Sequence, residues 1–177
     1  MVTSSSAVDA YWTAARRRVG TSALAAATGG HSAGTAAPPA WSFGAGPEDA
    51  NTLLALVLAG TKTGTASAMA SFEAEGEPLP RAGDLSIILD GRGEPRALIV
   101  TTEVSVCRFE QVDAEHAAAE GEGDRSLAHW RAVHAKFFTD GLARVGEVFT
   151  MSTAVVLERF QLLDPDPGQP PAAPPGT

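Results

Sequence analysis

Cysteine is almost missing from this chain: Cys107 stands alone, so no disulfide can close within it. Its setting, EVSVCRF, alternates like a strand, and a small buried thiol is the expected role. Lysine is almost missing too, since Lys62 and Lys136 face eleven arginines. No apolar run approaches the ~18 residues of a membrane helix. The opening MVTSSSAVDAYW has neither the basic nor the apolar region of a secretory signal. These absences lead to the expectation of a cytoplasmic protein with no membrane partner. Positive charge is short as well, with a net charge of -8. That argues against loose nucleic-acid binding, which runs on Lys and Arg contacts to phosphate. It leaves room for a local basic site or a neutral ligand such as a nucleoside.

What is present supports one globular body with tails. The 177 residues are 44% hydrophobic and 19% charged, enough for a core. Residues 8–19 carry apolar side chains at helical spacing, with Arg16, Arg17 and Arg18 on the wet side near the C-terminal end, where cations are favourable. Residues 20–40 are rich in Ala, Gly, Ser and Thr and read as a flexible linker. Residues 164–177 are a Pro-rich tail for which disorder is expected. The chain thus divides into 1–40, a helix plus linker; 41–163, the ordered domain; and 164–177, the tail.

Within the body, GPEDANTLLALVLAG reads as a helix, with Pro47 in its first turn, Glu48 and Asp49 at its positive end and Gly60 as its stop. TASAMASFE is strand-capable but ambiguous. LSIILD and PRALIVTTEVSVCRF read as two strands joined through GRGE. VDAEHAAAE is a short helix capped by Asp113. DRSLAHWRAVHAKFF is another helix, with Asp124 or Ser126 as its cap, and TAVVLERFQLL is a closing strand. Strands in blocks with inserted helices indicate an α+β fold with a small mixed sheet or barrel.

Two clusters carry candidate chemistry. The turn GTKTGT resembles a phosphate loop, but Thr61 separates Gly60 from Lys62, position 55 is Ala and a helix precedes it, so that reading fails. Lys62 and Thr65, three apart, could converge. A partly buried lysine can activate a hydroxyl or steady an oxyanion, whereas an exposed turn lysine would do neither. In EHAAAEGEGDRS, the carboxylates Glu115, Glu120, Glu122 and Asp124 crowd together. Like charges at close range raise a carboxyl pKa, as a general acid requires. His116 and Glu120 share a helix face and could hold a metal, though two ligands are few. The alternative is a solvated acidic loop that caps a helix. Trp130 and His134, also four apart, fit core packing. Trp41 and Phe43 could stack on a flat base or staple onto the core.

The ordered set WSFG, ALVLAGTKTGTAS, GEPLPRAGD, LIVTTEVSVCRFEQVD, HAAAEGEGDRSLAHWRAVHAKFF and VVLERFQLL resembles the ASCH domain family, a PUA-like fold, and in particular its larger bacterial branch. The resemblance spans residues 41–163. It implies a small PUA-like mixed β-barrel with flanking helices, and a cleft lined by the Lys62 turn. It also implies RNA or nucleoside ligands. One small branch removes acetyl from N4-acetylcytidine with a lysine, a threonine and a glutamate, whose motif positions resemble Lys62, Thr65 and Glu120. Another branch is linked to metal-assisted RNA cleavage.

Three functions follow as expectations. In the first, an amidohydrolase acts on an acylated nucleoside, with Lys62, Thr65 and Glu120 catalytic. Trp41, Phe43, Thr63, Glu122, Asp124 and Arg125 would bind substrate, and no cofactor is needed. In the second, single-stranded RNA is bound, or cleaved with a divalent metal, with Arg81, Arg96, Arg108 and Arg125 on phosphates. In the third, a non-catalytic adaptor holds a small ligand.

Overall fold

The computed structural model describes residues 5–30 and 34–165. In chain order these form α1 (Ser5–Val19), α2 (Thr21–Ala27), β1 (Ala40–Trp41), α3 (Pro47–Leu58), β2 (Gly64–Ala68) and α4 (Met69–Glu75). They continue with β3 (Leu85–Leu89), β4 (Pro95–Arg108), α5 (Ala114–Glu120), α6 (Leu127–Arg144) and β5 (Ala154–Pro165). The strands are hydrogen-bonded in the order β1-β3-β4-β5-β2, an α/β sheet with two ends. Among the described residues it does not close into the expected barrel, because the terminal strands β1 and β2 each have one neighbour.

The chain divides into two compact units, with β4 and β5 each running through both. Among the described residues, the first holds 5–30, 34–59, 85–99 and 162–165. Its core joins Tyr11, Trp12 and Ala15 of α1 to Leu24, Ile87, Leu89 and Leu98. Full burial of such a side chain contributes about 1.5–3 kcal/mol. Leu24 belongs to α2, so the segment expected as a linker contains a docked helix. Ala-rich sequence favours helix, and one buried leucine (2% exposed) anchors it. Arg18 is exposed, as expected, and its guanidinium also grips Asp164 through two hydrogen bonds of 2.8 and 2.7 Å. Tyr11 donates to the Asp164 carbonyl at 2.9 Å. Strand β5 therefore extends two residues into the expected tail, and residues 166–177 lie outside the described residues.

The second unit, Gly60–Asp84 and Val100–Gln161, carries the candidate site. Strands β2 and β5 pair antiparallel, with Thr65 opposite Glu158 and Ala66 opposite Leu157. The ambiguous TASAMASFE splits, its first half in β2 and its second in α4. Ala66, Ala68 and Val155 pack with Phe109, Val112, Trp130, Phe138 and Leu142. Side chains alternate along a strand, so Ala66 and Ala68 face this core. Gly64 faces the same way, since a Cβ there would meet Ala119 of α5 at 3.4 Å. Thr65 and Ser67 lie on the other face.

Candidate functional site

Two helix ends meet one turn in the second unit. Helix α5 begins where Asp113 accepts a hydrogen bond from the His116 amide at 2.8 Å, as expected of an N-cap. It ends at Gly121, whose φ is +74°. A side chain at Gly121 would be strained by this left-handed backbone, and its Cβ would fall 2.6 Å from the Thr61 carbonyl oxygen. Glycine thus lets the end of α5 lie directly against the 61–62 backbone. The Thr63 amide donates to the Ala119 carbonyl at 2.7 Å, and the Phe160 amide donates to the Thr63 carbonyl at 2.9 Å. The turn is clipped between α5 and β5.

This packing draws Lys62 inward. Its ammonium lies 2.9 Å from Glu120 Oε2 and 2.8 Å from Glu122 Oε1. The Lys62 and Glu120 side chains are each 1% exposed, and that of Glu122 is 22% exposed. The other Glu120 oxygen accepts from Trp130 Nε1 at 2.8 Å and contacts His116 Nε2 at 3.1 Å and His134 Nε2 at 3.4 Å. Ser126 caps α6 by accepting from the His129 amide at 3.1 Å, which starts the helix that carries Trp130 and His134. His134 Nδ1 lies 3.0 Å from the Trp130 carbonyl, and the two rings stack 4.2 Å apart.

The ionisation of Glu120 departs from expectation. Burial alone would push its carboxyl up. Hydrogen bonds from His116 and His134, together with the Lys62 charge, outweigh burial and hold it well below the usual carboxylate range. Glu120 is therefore a fixed anion and not the neutral acid that the crowded carboxylates suggested. Asp124 is likewise lowered, by its hydrogen bonds to Ser126.

Glu120, Glu122 and His134 could in principle surround a cation, since their ligand atoms lie within 4.8 Å of one another. Lys62 already places an ammonium on both carboxylates. A divalent ion would have to displace that charge, so the donor set does not fit a resident metal while Lys62 is seated.

Of the other expected site residues, Thr65 is half-buried on the opposite strand face, and among the described residues no hydrogen bond joins it to Lys62 or Glu120. Thr63 is exposed, its hydroxyl 3.4 Å from the Ala119 carbonyl. Arg125 has a φ of +63° and its Nε donates to the Ala118 carbonyl at 3.2 Å. Asp124 is exposed and accepts from the Ser126 amide at 2.9 Å. Both residues shape the loop between α5 and α6. In the first unit, Phe43 is 5% exposed and meets the half-buried Trp41 edge-on at 4.6 Å, the packing of a staple. Among the arginines considered for phosphate, Arg96 is held by Asp90 at 2.9 Å.

Sequence reasoning missed Trp130 and His134 as partners of Glu120. Their spacing of four was visible, as was that of His116 and Glu120, but not that the two pairs converge. Cys107 is half-buried in a cleft of about 290 Å³ that it shares with Glu103, Asp113, Glu115, His116 and Arg159. Burial and the Asp113 charge push its thiol up, away from reactivity.

A mixed sheet whose second unit buries a lysine between two glutamates, at the junction of a short helix and an edge strand, defines the class of domain. The chain belongs to the ASCH domain family, whose model matches residues 39–164. It is similar to the crystal structure of an ASCH domain from Lactobacillus crispatus JV V101, at 34% identity and a TM-score of 0.68, covering 72% of this chain and 80% of that one. It is also similar to a crystallised protein from Enterococcus faecalis V583, at 32% identity and a TM-score of 0.75, covering 89% of this chain and 88% of that one. No curated protein matches the chain. Membership suggests an RNA-related role. Among the described residues, no helix is long and apolar enough to cross a membrane.

Proposed function

We propose that the protein is an amidohydrolase that removes the acyl group from the exocyclic amine of a modified nucleoside such as N4-acetylcytidine. The observation that carries this reading is the contact of Lys62 with Glu120 at 2.9 Å in a turn that leads directly into Thr65. The Thr65 hydroxyl attacks the acyl carbon. A C–O bond forms, the C–N bond breaks, and the nucleoside amine leaves with a proton. Water then cleaves the acyl-threonine ester. Lys62 supplies positive charge at the head of β2, which favours the negative oxygen of the tetrahedral intermediate. Glu120 holds that lysine in place, and Glu122 is the member of the cluster that reaches solvent.

The test is incubation with N4-acetylcytidine and chromatographic measurement of released cytidine. Release by the wild type and its loss in Lys62→Ala and Thr65→Ala support the reading. Equal release by Lys62→Ala contradicts it. Because the ammonium occupies the carboxylate cluster, a chelator leaves turnover unchanged. Chelator-sensitive cleavage of RNA would favour the metal-assisted ribonuclease instead.

A further inference from the structure

One carboxylate near Thr65 has no part in the Lys62 cluster. Glu158 lies directly across the β2–β5 ladder from Thr65. Residues opposed in an antiparallel pair project to the same face, with Cβ atoms about 4.5–5.5 Å apart. Thr101 of β4 joins them, its hydroxyl donating to Glu158 Oε2 at 3.1 Å. Thr65 and Thr101 are thus on the strands that flank Glu158, Thr65 as its cross-strand neighbour and Thr101 as a donor to its carboxyl. The flanking Leu157 faces the core that holds Ala66, and Arg159 reaches Glu115 of α5 at 3.4 Å. Arg159 therefore leaves Glu158 without its charge. Asp84, just before β3, is the charged group that bears on Glu158, and its effect is to disfavour ionisation.

We propose that Glu158 is the proton-transfer residue for Thr65: it takes the proton from the threonine hydroxyl as that oxygen attacks the acyl carbon and passes it to the departing amine. The proposal rests on the amidohydrolase reading. Atoms balance, since the proton lost by Thr65 Oγ1 ends on the nucleoside nitrogen and the acyl group on Thr65. In the second half, a water gives its proton to Glu158, its oxygen cleaves the ester, and the proton returns to Thr65. Burial, partly offset by the Thr101 hydrogen bond and aided by the Asp84 charge, pushes the Glu158 carboxyl up. That suits a group which must both accept and release a proton. Glu120, held as an anion by four donors, cannot do so.

The experiment has two arms on the full chain. The first measures N4-acetylcytidine turnover by wild type, Glu158→Gln and Thr101→Val. The second treats the same proteins with p-nitrophenyl acetate and locates acetyl on Thr65 by peptide mass spectrometry. Glutamine preserves the acceptor for Thr101, and a thermal melt verifies folding. The expected loss in turnover is about 100- to 10,000-fold for Glu158→Gln and smaller for Thr101→Val, with Thr65 acetylation slowed in parallel. Wild-type turnover with an undiminished Glu158→Gln overturns the proposal and leaves the amidohydrolase reading standing. Absent wild-type turnover, with Thr65 acetylated in a Glu158-dependent way, overturns the reading of the substrate and supports the proton-transfer role. Thr65 unacetylated in wild type, or acetylated equally in Glu158→Gln, overturns the proposal.

Discussion

Glu120 and Glu158 belong to the same unit, and both lose water on folding, yet their surroundings drive them to opposite ionisation states. Glu120 meets Lys62, Trp130, His116 and His134. Glu158 accepts one hydrogen bond, from the Thr101 hydroxyl, and feels the like charge of Asp84. Desolvation raises both, and it prevails only where donors are few. Two carboxyls with pKa values pushed apart can divide the labour of a site, one as a fixed charge and one as a proton carrier. The difference comes from the elements around them: α5 and α6 bring indole and imidazole N–H groups to Glu120, whereas β4 brings the Thr101 hydroxyl to Glu158.

The largest test of this contrast is to break the Glu120 side. Glu120→Ala leaves the Lys62 ammonium without its buried partner, and loss of one member of a buried pair costs about 3–5 kcal/mol. Chemical denaturation should show it as a lower midpoint. Trp130→Phe removes one N–H from Glu120 and keeps most of the ring, with an expected loss of about 1.5–3 kcal/mol for a bond to a charged group. Ser126→Ala removes the cap that starts α6, at about 1 kcal/mol.

The pH dependence separates the two residues by sign. Glu120 is depressed, so its stabilising ionisation is complete at neutral pH. That contribution is lost as pH falls below the ordinary carboxylate value of about 4.3 towards its own lower one. Glu158 is raised, so its contribution is complete at acidic pH and is lost as pH rises through its folded value. Glu158→Gln should therefore gain stability relative to wild type at pH 8 and not at pH 4, a small effect visible in paired thermal melts.

Local chemistry was legible in the sequence. Pro47, Asp113 and Ser126 mark helix starts because caps act within three residues, and each does so in the structure. The motif order carried the family and brought Lys62 together with Glu120. Trp130 and His134 read as core residues, and by burial they are (3% and 7% exposed), but their N–H groups aim at a carboxylate on another helix. Glu158 looked like one polar position in an alternating strand, because its importance depends on the register with Thr65 and no spacing within VVLERF encodes that. The helix at 21–27 was hidden by low complexity, with Leu24 its single apolar anchor.

The most direct measurement is a carbon-13 NMR titration of the glutamate side-chain carboxyls, with Glu120→Gln and Glu158→Gln used for assignment. The account predicts one resonance that stays ionised to well below the ordinary range and disappears in Glu120→Gln. A second should titrate above that range and disappear in Glu158→Gln. A Glu120 that takes up its proton at or above the ordinary value, or a Glu158 that titrates below it, would contradict the division of roles between them.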